Sequence, residues 1–388
     1  MALPLQYNFR NLTVRRTANI MAALGIALVV MVMVWVLALA QGFRKALVGT
    51  GRADRALVMR GGATSEVQSA VSREDARMLE VLPEVATSES GEPLASPELV
   101  VIVVLPKRSD QSPSNVIVRG VTEAAFAVRP EARVAAGRAA RPGLGEVVVG
   151  RALTRRIQGC EIGARLHFAT QDWDVVGILE AGGSGFESEI WGDAEVLIPA
   201  FERTGYQAMT MRLRSASDLK ALQERIEADP RLHLEAQSEV VYFESQSRSF
   251  TTFVRGTGFI IAILMGFGAI AGSLNTMYAA VNARTREIGT LLALGFSRAS
   301  VLGAFLVESV LLSLAGGAIG CALGLLVNGV STGTTNWDSF SELAFTFRVT
   351  PDILITGMVF AAVMGAVGGL LPAWQAARKR IVDSLRAA

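Results

Sequence analysis

Four long apolar stretches separated by polar segments dominate the sequence. They cover residues 17–40, 256–281, 301–327 and 351–374, and the first of them holds no charged residue. A helix with the length of the first stretch is about 36 Å long, which exceeds the roughly 30 Å hydrocarbon core of a bilayer. The pattern therefore predicts four transmembrane helices.

A cleaved signal peptide is the competing interpretation of the first stretch, because Ala38, Leu39 and Ala40 have the small-x-small pattern of a cleavage site. Two features favour an uncleaved helix. The stretch is longer than the apolar region of a signal peptide, about 7–15 residues, and a long polar segment precedes it. We therefore expect the first stretch to remain as a membrane span.

Basic residues indicate the orientation of the spans, because cytoplasmic segments carry an excess of Lys and Arg. They cluster before the first span, between the second and third, and after the fourth, so both termini are predicted in the cytoplasm. The clusters are Arg10, Arg15 and Arg16; Arg284, Arg286 and Arg298; and Arg378, Lys379, Arg380 and Arg386. The predicted order is a cytoplasmic segment (1–16), span 1 (17–40), an extracytoplasmic domain (41–255), span 2 (256–281), a cytoplasmic connection (282–300), span 3 (301–327), an extracytoplasmic loop (328–350), span 4 (351–374) and a cytoplasmic tail (375–388).

The polar block between the first two spans mixes helical and strand patterns. Ser72 followed by Asp75 is typical of a capping box that opens a helix, and the Val-rich run 99–105 indicates a strand. The predicted fold class is therefore membrane α-helical with an inserted α+β domain, in one or two lobes. Because no Gly or Pro interrupts residues 238–253, we expect span 2 to continue outward as a rigid helix.

Composition agrees with a membrane class, since 51% of the 388 residues are hydrophobic and only 19% are charged. A net charge of +2 gives no reason to expect nucleic acid as a partner. Cys160 lies in the predicted extracytoplasmic domain and Cys321 in a predicted membrane span, so we expect no disulfide between them. Cys160 and His167 alone are too few ligands for a zinc site. The run at 182–185 lacks the Gly-Lys-Ser/Thr ending of a phosphate-binding loop. We predict no catalytic residue, metal site or cofactor site in this chain.

Glycines recur at four-residue spacing within the spans, a pattern that lets helix backbones approach closely in lipid. Packing within one bundle and the seam of a dimer are both consistent with this spacing, and the small number of spans favours a dimer. These glycines are Gly268, Gly272, Gly316, Gly320, Gly324, Gly365 and Gly369.

The segment from Arg284 to Gly295 reads Arg-Thr-Arg-Glu-Ile-Gly-Thr-Leu-Leu-Ala-Leu-Gly. Its basic start, apolar face and terminal glycine predict a short amphipathic helix. The residues themselves leave two roles open. The helix could lie on lipid headgroups at the membrane interface, or it could dock on a protein partner.

This segment resembles the coupling segment of the FtsX-like, MacB-type permeases of ABC transporters, and it matches their pattern R-x-R-E-I-G-x-L-x-A-L-G at every position. The order of one span, a large outer domain and three further spans is similar to the same family. Glu308, in the third span, lies where the family commonly has a glutamate. Two roles remain open for Glu308. It could form a structural hydrogen bond with Ser309, Ser313 or Asn275, or it could take part in coupling.

The resemblance implies a permease subunit in the cytoplasmic (inner) membrane of a bacterium that works as a homo- or heterodimer above two ATPase subunits. ATP and Mg²⁺ would be bound by that separate ATPase, and this chain would pass motion to its outer domain to export or extract a lipoprotein, peptide or hydrophobic substrate. A periplasmic adaptor or a lipoprotein is a further partner of this type. The alternatives are an FtsX-like transmitter that controls a cell-wall hydrolase, and a receptor without an ATPase. The residues implied in ATPase coupling are Arg284, Arg286, Glu287, Ile288, Gly289, Leu291, Leu294 and Gly295.

Overall fold

The computed structural model describes residues 16–379, and the chain divides into two compact units. The helical unit comprises the residues to Gln41, Phe253–Val330 and the residues from Phe347 onward. The sheet unit comprises Gly42–Thr252 and Ser331–Thr346. The predicted basic residues Arg10, Arg15, Arg380 and Arg386 lie outside the described residues.

Four helices among the described residues are long and apolar enough to cross a membrane, and each coincides with a predicted span. The second of them is one 45-residue helix, as the lack of Gly and Pro before its apolar part predicts. In chain order the helices are α1 (Arg16–Val48), α2 (Arg73–Glu80), α3 (Ala124–Val128), α4 (Arg151–Arg156), α5 (Ala194–Ala200), α6 (Leu219–Ala228), α7 (Glu239–Ala283), α8 (Thr285–Ala293), α9 (Arg298–Gly324) and α10 (Pro351–Ala377).

The core of the helical unit lies where α1, α9 and α10 meet. Ile26, Val30 and Val34 recur every four residues on one face of α1, and they pack in a cluster with Cys321 of α9 and Ala361 of α10. The opposite face of α1 is exposed and apolar, which suits contact with lipid chains, because apolar side chains are stable there without a protein neighbour.

The sheet unit is built on one ten-stranded mixed sheet of order β10-β1-β9-β2-β3-β8-β5-β7-β4, with β6 paired to β7. The pairs β3–β8 and β5–β7 are parallel and the others are antiparallel. Strand β2 joins the two halves of this sheet, because Ala95–Glu98 pair with β9 and Leu99–Pro106 pair with β3, whereas β11 and β12 form a separate two-stranded sheet. The strands are β1 (Arg55–Arg60), β2 (Ala95–Pro106), β3 (Pro113–Val121), β4 (Arg133–Gly137), β5 (Glu146–Gly150), β6 (Arg165–Phe168), β7 (Gln171–Glu180), β8 (Glu189–Asp193), β9 (Ala208–Arg212), β10 (Leu234–Ser238), β11 (Ser331–Thr335) and β12 (Glu342–Thr346).

Local signals in the sequence correspond to elements of this unit. Ser72 caps α2, since its hydroxyl accepts from the backbone N–H of Asp75 while the Asp75 carboxylate accepts from the N–H of Ser72, which confirms the predicted capping box. The Val-rich run 99–105 lies within β2. The predicted loop at 328–350, however, contains the hairpin β11–β12, which the sequence analysis did not anticipate.

The β11–β12 hairpin contacts the sheet unit through apolar packing of Leu343 and Phe345 and through the carboxylate of Glu342. Glu342 pairs with Lys107 at 3.0 Å and with Arg156, and it accepts a hydrogen bond from Ser114. Burial opposes the charged form of Glu342, but the hydrogen bonds from Ser114 and Arg156 lower its pKa below the ordinary value. The hairpin is thus an ionically fixed part of the sheet unit.

A buried ionic cluster joins the first residue of α7 to the sheet. The Arg129 guanidinium contacts Glu98 on β2 and lies 3.3 Å from Glu239, the residue that opens α7. Arg119 on β3 pairs through Nη1 with both Glu98 and Glu66, each at 2.7 Å, and through Nε with Glu189 at 2.7 Å. Burial raises the pKa of Glu239, whereas the charges of Arg129 and Arg119 lower that of Glu98 despite its burial. Each charge in this cluster is therefore paired, as burial requires.

Candidate coupling site

The short helix α8 begins and ends at residues of the segment 284–295, which we call the coupling segment. Arg284 interrupts the helical geometry after α7, with φ −106° and ψ 17°, so that α8 starts as a separate element. At its other end Gly295 has φ +90°, a conformation that only glycine adopts without strain. The Gly295 N–H donates to Leu292 and the Phe296 N–H donates to Leu291, the two hydrogen bonds of a Schellman cap. Ser297 then caps the next helix, α9.

Arg284 turns inward and forms a buried ion pair with Glu308 of α9. Its Nη1 atom lies 2.8 Å and 3.1 Å from the two carboxylate oxygens, and the two side chains are 10% and 7% exposed. The partner of Glu308 is therefore an arginine, and not Ser309, Ser313 or Asn275 as the sequence suggested. Ser309 instead donates to the carbonyl of Gly365. A charged residue within a membrane span needs a partner of opposite charge. The basic residue at the end of the preceding span, Arg284, would therefore have been the better predicted partner for Glu308.

Ile288 and Gly289 are also covered by residues of this chain. Ile288 is 1% exposed and packs in a cluster with Met277, Val301 and Phe305. Direct contact between an ATPase and Arg284, Ile288 or Gly289, as expected from the resemblance, would require this packing to open. These residues anchor the coupling segment to α7, α9 and α10.

The outer face of the coupling segment is formed by the other residues that the resemblance implied. Arg286, Glu287, Leu294 and Gly295 are exposed, and Leu291 is half-buried. Leu294 stands out because 72% of this large apolar side chain is exposed. An exposed leucine beside charged residues, on a helix fixed from behind, has the character of an interface centre with a polar rim.

The glycines of the spans fall into two groups. Gly316, Gly320 and Gly324 face α1, and an added Cβ at Gly320 would lie 2.5 Å from the carbonyl oxygen of Ala27. Gly365 and Gly369 face Ser313 and Ser309, so that α9 and α10 approach closely. These glycines line contacts within one chain.

The second group comprises Gly268 and Gly272 of α7, which have open space where a Cβ would be. Together with Gly25 and Leu28 of α1 they line an apolar groove of about 300 Å³ on the surface of the helical unit. No other described residue of this chain fills that groove. It is thus the surface on which a dimer seam of the predicted kind could form.

Among the described residues, no group of three or more His, Cys, Asp or Glu side chains could hold a metal ion. His167 is hydrogen-bonded to Asp172 at 2.8 Å on the surface of the β6–β7 hairpin. Cys160 is a free buried thiol, and burial raises its pKa to about 12.

Two family descriptions match the sequence. The family "FtsX-like permease C-terminal" matches residues 259–381, which include the coupling segment, and the family "MacB-like periplasmic core domain" matches residues 20–229. The second match covers more than half of the chain.

Individual relatives are permeases or export proteins. The chain is 27% identical to an uncharacterized ABC transporter permease, YknZ, of Bacillus subtilis over 56% of this chain and 54% of that protein. It is 29% identical to the macrolide export ATP-binding/permease protein MacB of Nitrosomonas europaea, over 56% of this chain and 33% of that protein. It is also 29% identical to the pyoverdine export ATP-binding/permease protein PvdT of Pseudomonas fluorescens, over 58% of this chain and 34% of that protein. The chain thus spans between one third and about one half of the length of these relatives.

Among solved structures, the extracellular domain of YknZ aligns with 47% of this chain and all of that domain, at 14% identity and a TM-score of 0.35. The periplasmic region of MacB from Actinobacillus actinomycetemcomitans aligns with 52% of this chain and 96% of that region, at 12% identity and a TM-score of 0.37.

Proposed function

This chain belongs to the FtsX-like permeases of ABC transporters with a MacB-like periplasmic core domain, and we propose that a separate ATPase drives it through the coupling segment. The observation that carries the proposal is the arrangement of α8. The helix is anchored from behind by the Arg284–Glu308 ion pair and by Ile288, and it presents the exposed Leu294 on its other side. A partner that pushes on such a helix moves α9 with it.

The proposed topology has four spans, with the sheet unit outside the cytoplasmic (inner) membrane of a bacterium and both termini inside. Support comes from the apolar character of α1, α7, α9 and α10 and from the basic residues of the coupling segment. ATP and Mg²⁺ would be bound by the ATPase, for which we expect two copies. The ATP-binding function in the names of the MacB and PvdT relatives belongs to those proteins.

A second copy of this chain, or a homologue, is the partner that we propose for the groove lined by Gly268 and Gly272. The groove is apolar, it faces outward from the helical unit, and its glycines permit close approach of another helix. Five of the seven spaced glycines are already used within the chain, so these two are the pair available for dimer contact.

The cargo that we propose is a lipoprotein, peptide or hydrophobic molecule, taken up at the outer face of the membrane, with an adaptor or lipoprotein as a further partner. The alternative is an FtsX-like transmitter that controls a cell-wall hydrolase and transports nothing. Both functions use the same coupling segment. A cargo or hydrolase that copurifies with the chain would decide between them.

The experiment that tests the proposal is affinity purification of the full chain in mild detergent from its host, with quantification of any copurifying ABC ATPase. Leu294→Asp should abolish copurification, because it places a charge at the centre of the proposed interface. Val81→Asp is a matched control, since Val81 is also a largely exposed apolar residue, at 80%, but lies at the end of α2 in the sheet unit.

Equal recovery of the ATPase with both variants would exclude the outer face of the coupling segment as the contact. Absence of an ATPase with the unmodified chain, with nucleotide present, would favour the receptor without an ATPase. Ile288→Asp is a poor test, because a buried aspartate would disrupt the packing of α8 before it changed an interface.

A further inference from the structure

We infer that a cleft in the sheet unit binds small organic cations that carry an apolar body. The cleft lies where the parallel strands β3 and β8 end, at Val121 and Asp193, which are paired in the sheet. A helix follows each strand almost at once, α3 after β3 and α5 after β8. Crevices beyond the carboxyl ends of parallel strands are frequent ligand sites, and this one has a volume of about 380 Å³, within the usual range.

The interior of the cleft is apolar. Trp191 and Val148, both fully buried, form its floor, and the half-buried ring of Phe126 forms one side. The Phe126 and Trp191 rings lie 5.7 Å apart between centroids. Ala140 and Pro142 close the opposite side with small side chains that leave the space open. Aromatic rings and apolar walls of this kind hold the body of an organic cation, and a ring face also attracts its charge.

The charged residues that line the cleft are all acidic. They include the carboxylates Glu123, Asp193 and Glu195, and no lining residue is a lysine or arginine. Glu195 is paired with Arg73 at 2.8 Å, so its charge is largely compensated. Asp193 accepts hydrogen bonds from two backbone N–H groups, that of Gly143 at 2.6 Å and that of Glu195 at 2.9 Å, and it forms no ion pair among the described residues. Glu123 is exposed at the start of α3.

The two arginines closest in sequence to the cleft residues form ion pairs with a glutamate that does not line the cleft. Arg138 and Arg141 flank the wall residues Ala139 and Ala140, yet both donate to Glu146, each through an Nη2 atom at 2.6 Å. These hydrogen bonds hold the pKa of Glu146 well below its usual range. Glu146 balances one of these two arginine charges. Glu123 and Asp193 form no ion pair among the described residues, so their two negative charges exceed the remaining positive charge, and the cleft favours a cation.

This inference stands apart from the proposed ATPase coupling, because binding to the cleft is measured on the chain alone. The probe is tetraphenylphosphonium, a compact apolar cation, and its binding to the full chain in nanodiscs is measured by equilibrium dialysis against empty nanodiscs. Tetraphenylborate, of the same shape and opposite charge, is the matched control probe. We expect saturable binding of the cation only.

Three variants locate the site. Glu123→Lys should weaken binding by about fivefold or more, because it reverses a charge at the mouth. Glu89→Lys, which reverses an exposed carboxylate outside the cleft, should leave the affinity unchanged. Ala140→Trp should abolish saturable binding by filling the cleft.

The inference is overturned if no saturable binding exceeds that of empty nanodiscs, or if Glu123→Lys and Glu89→Lys bind equally. Equal affinity for the phosphonium and the borate would also overturn it, because the carboxylates would then have no selective effect. Since Glu123 is exposed, loss of binding in Glu123→Lys with an unchanged unfolding temperature is attributable to charge.

Discussion

The Arg284–Glu308 ion pair gives the sharpest test of how the coupling segment is held. In the unmodified chain, Nη1 of Arg284 lies 2.8 Å and 3.1 Å from the two carboxylate oxygens of Glu308. Glu308→Gln removes the negative charge and leaves the Arg284 guanidinium buried without a charged partner. Breaking a buried pair from one side costs about 3–5 kcal/mol, because the remaining charge is not compensated. We therefore expect the helical unit to unfold roughly 6–20 °C lower, at about 2–4 °C per kcal/mol.

The assay uses one of the two free, buried cysteines, Cys321, as a reporter of unfolding. In a Cys160→Ser background the remaining thiol, Cys321, lies in the core of the helical unit and reacts with a fluorogenic maleimide only when that unit opens. Arg286→Met is the matched control, because Arg286 is an exposed arginine of the same segment and its loss should cost less than about 1 kcal/mol.

The double variant Arg284→Met with Glu308→Leu decides the mechanism. Replacement of a whole buried pair by apolar residues is often neutral or stabilising, so the double variant should recover most of the stability lost in Glu308→Gln. If the double variant were as unstable as the single one, or if Arg286→Met and Glu308→Gln had equal effects, the ion pair would not be the anchor.

Three further predictions concern packing and pH. Gly320→Val should lower the unfolding temperature in the same thiol assay, by about 1–3 kcal/mol of overpacking, because the added atoms meet the Ala27 carbonyl oxygen; an unchanged temperature would show that α1 and α9 can separate freely. Gly272→Val has open space, so it should leave that temperature unchanged and lower only the dimer fraction measured by multi-angle light scattering; an unchanged dimer fraction would remove Gly272 from the seam. Because the pKa of Glu146 is depressed in the folded chain, its stabilisation is present above the ordinary glutamate pKa of about 4.3 and is lost as pH falls below it. Urea unfolding followed by tryptophan fluorescence should therefore show a smaller loss of stability between about pH 5 and about pH 3 in Glu146→Gln than in the unmodified chain; equal losses would contradict the assignment.

Local sequence signals predicted the elements of this fold well because their causes are local. Long apolar runs in lipid are satisfied as helices, so four helices long and apolar enough to cross a membrane were predictable from composition alone. The capping box at Ser72 and the stop at Gly295 are each determined by contacts within a few residues. The continuous helix α7 was predictable because no residue between 238 and 253 breaks it.

Contacts between distant residues were not predictable in this way. The hairpin β11–β12 depends on Glu342 meeting Lys107 and Arg156, which lie far away in the sequence. The ionic cluster at the start of α7 joins Glu239 to Arg129, and a sequence shows only that such charges exist. Glycine spacing likewise could not separate packing within one chain from a dimer seam.

The coupling segment shows this division most clearly. The sequence by itself determined that a short amphipathic helix lies between two spans, since its periodicity and its terminal glycine are sufficient for that. Only the tertiary structure decided which side of the helix faces inward. Arg284 and Ile288 are buried while Leu294 is exposed, because the surfaces of α7, α9 and α10 that cover the first two are assembled from residues up to about a hundred positions away.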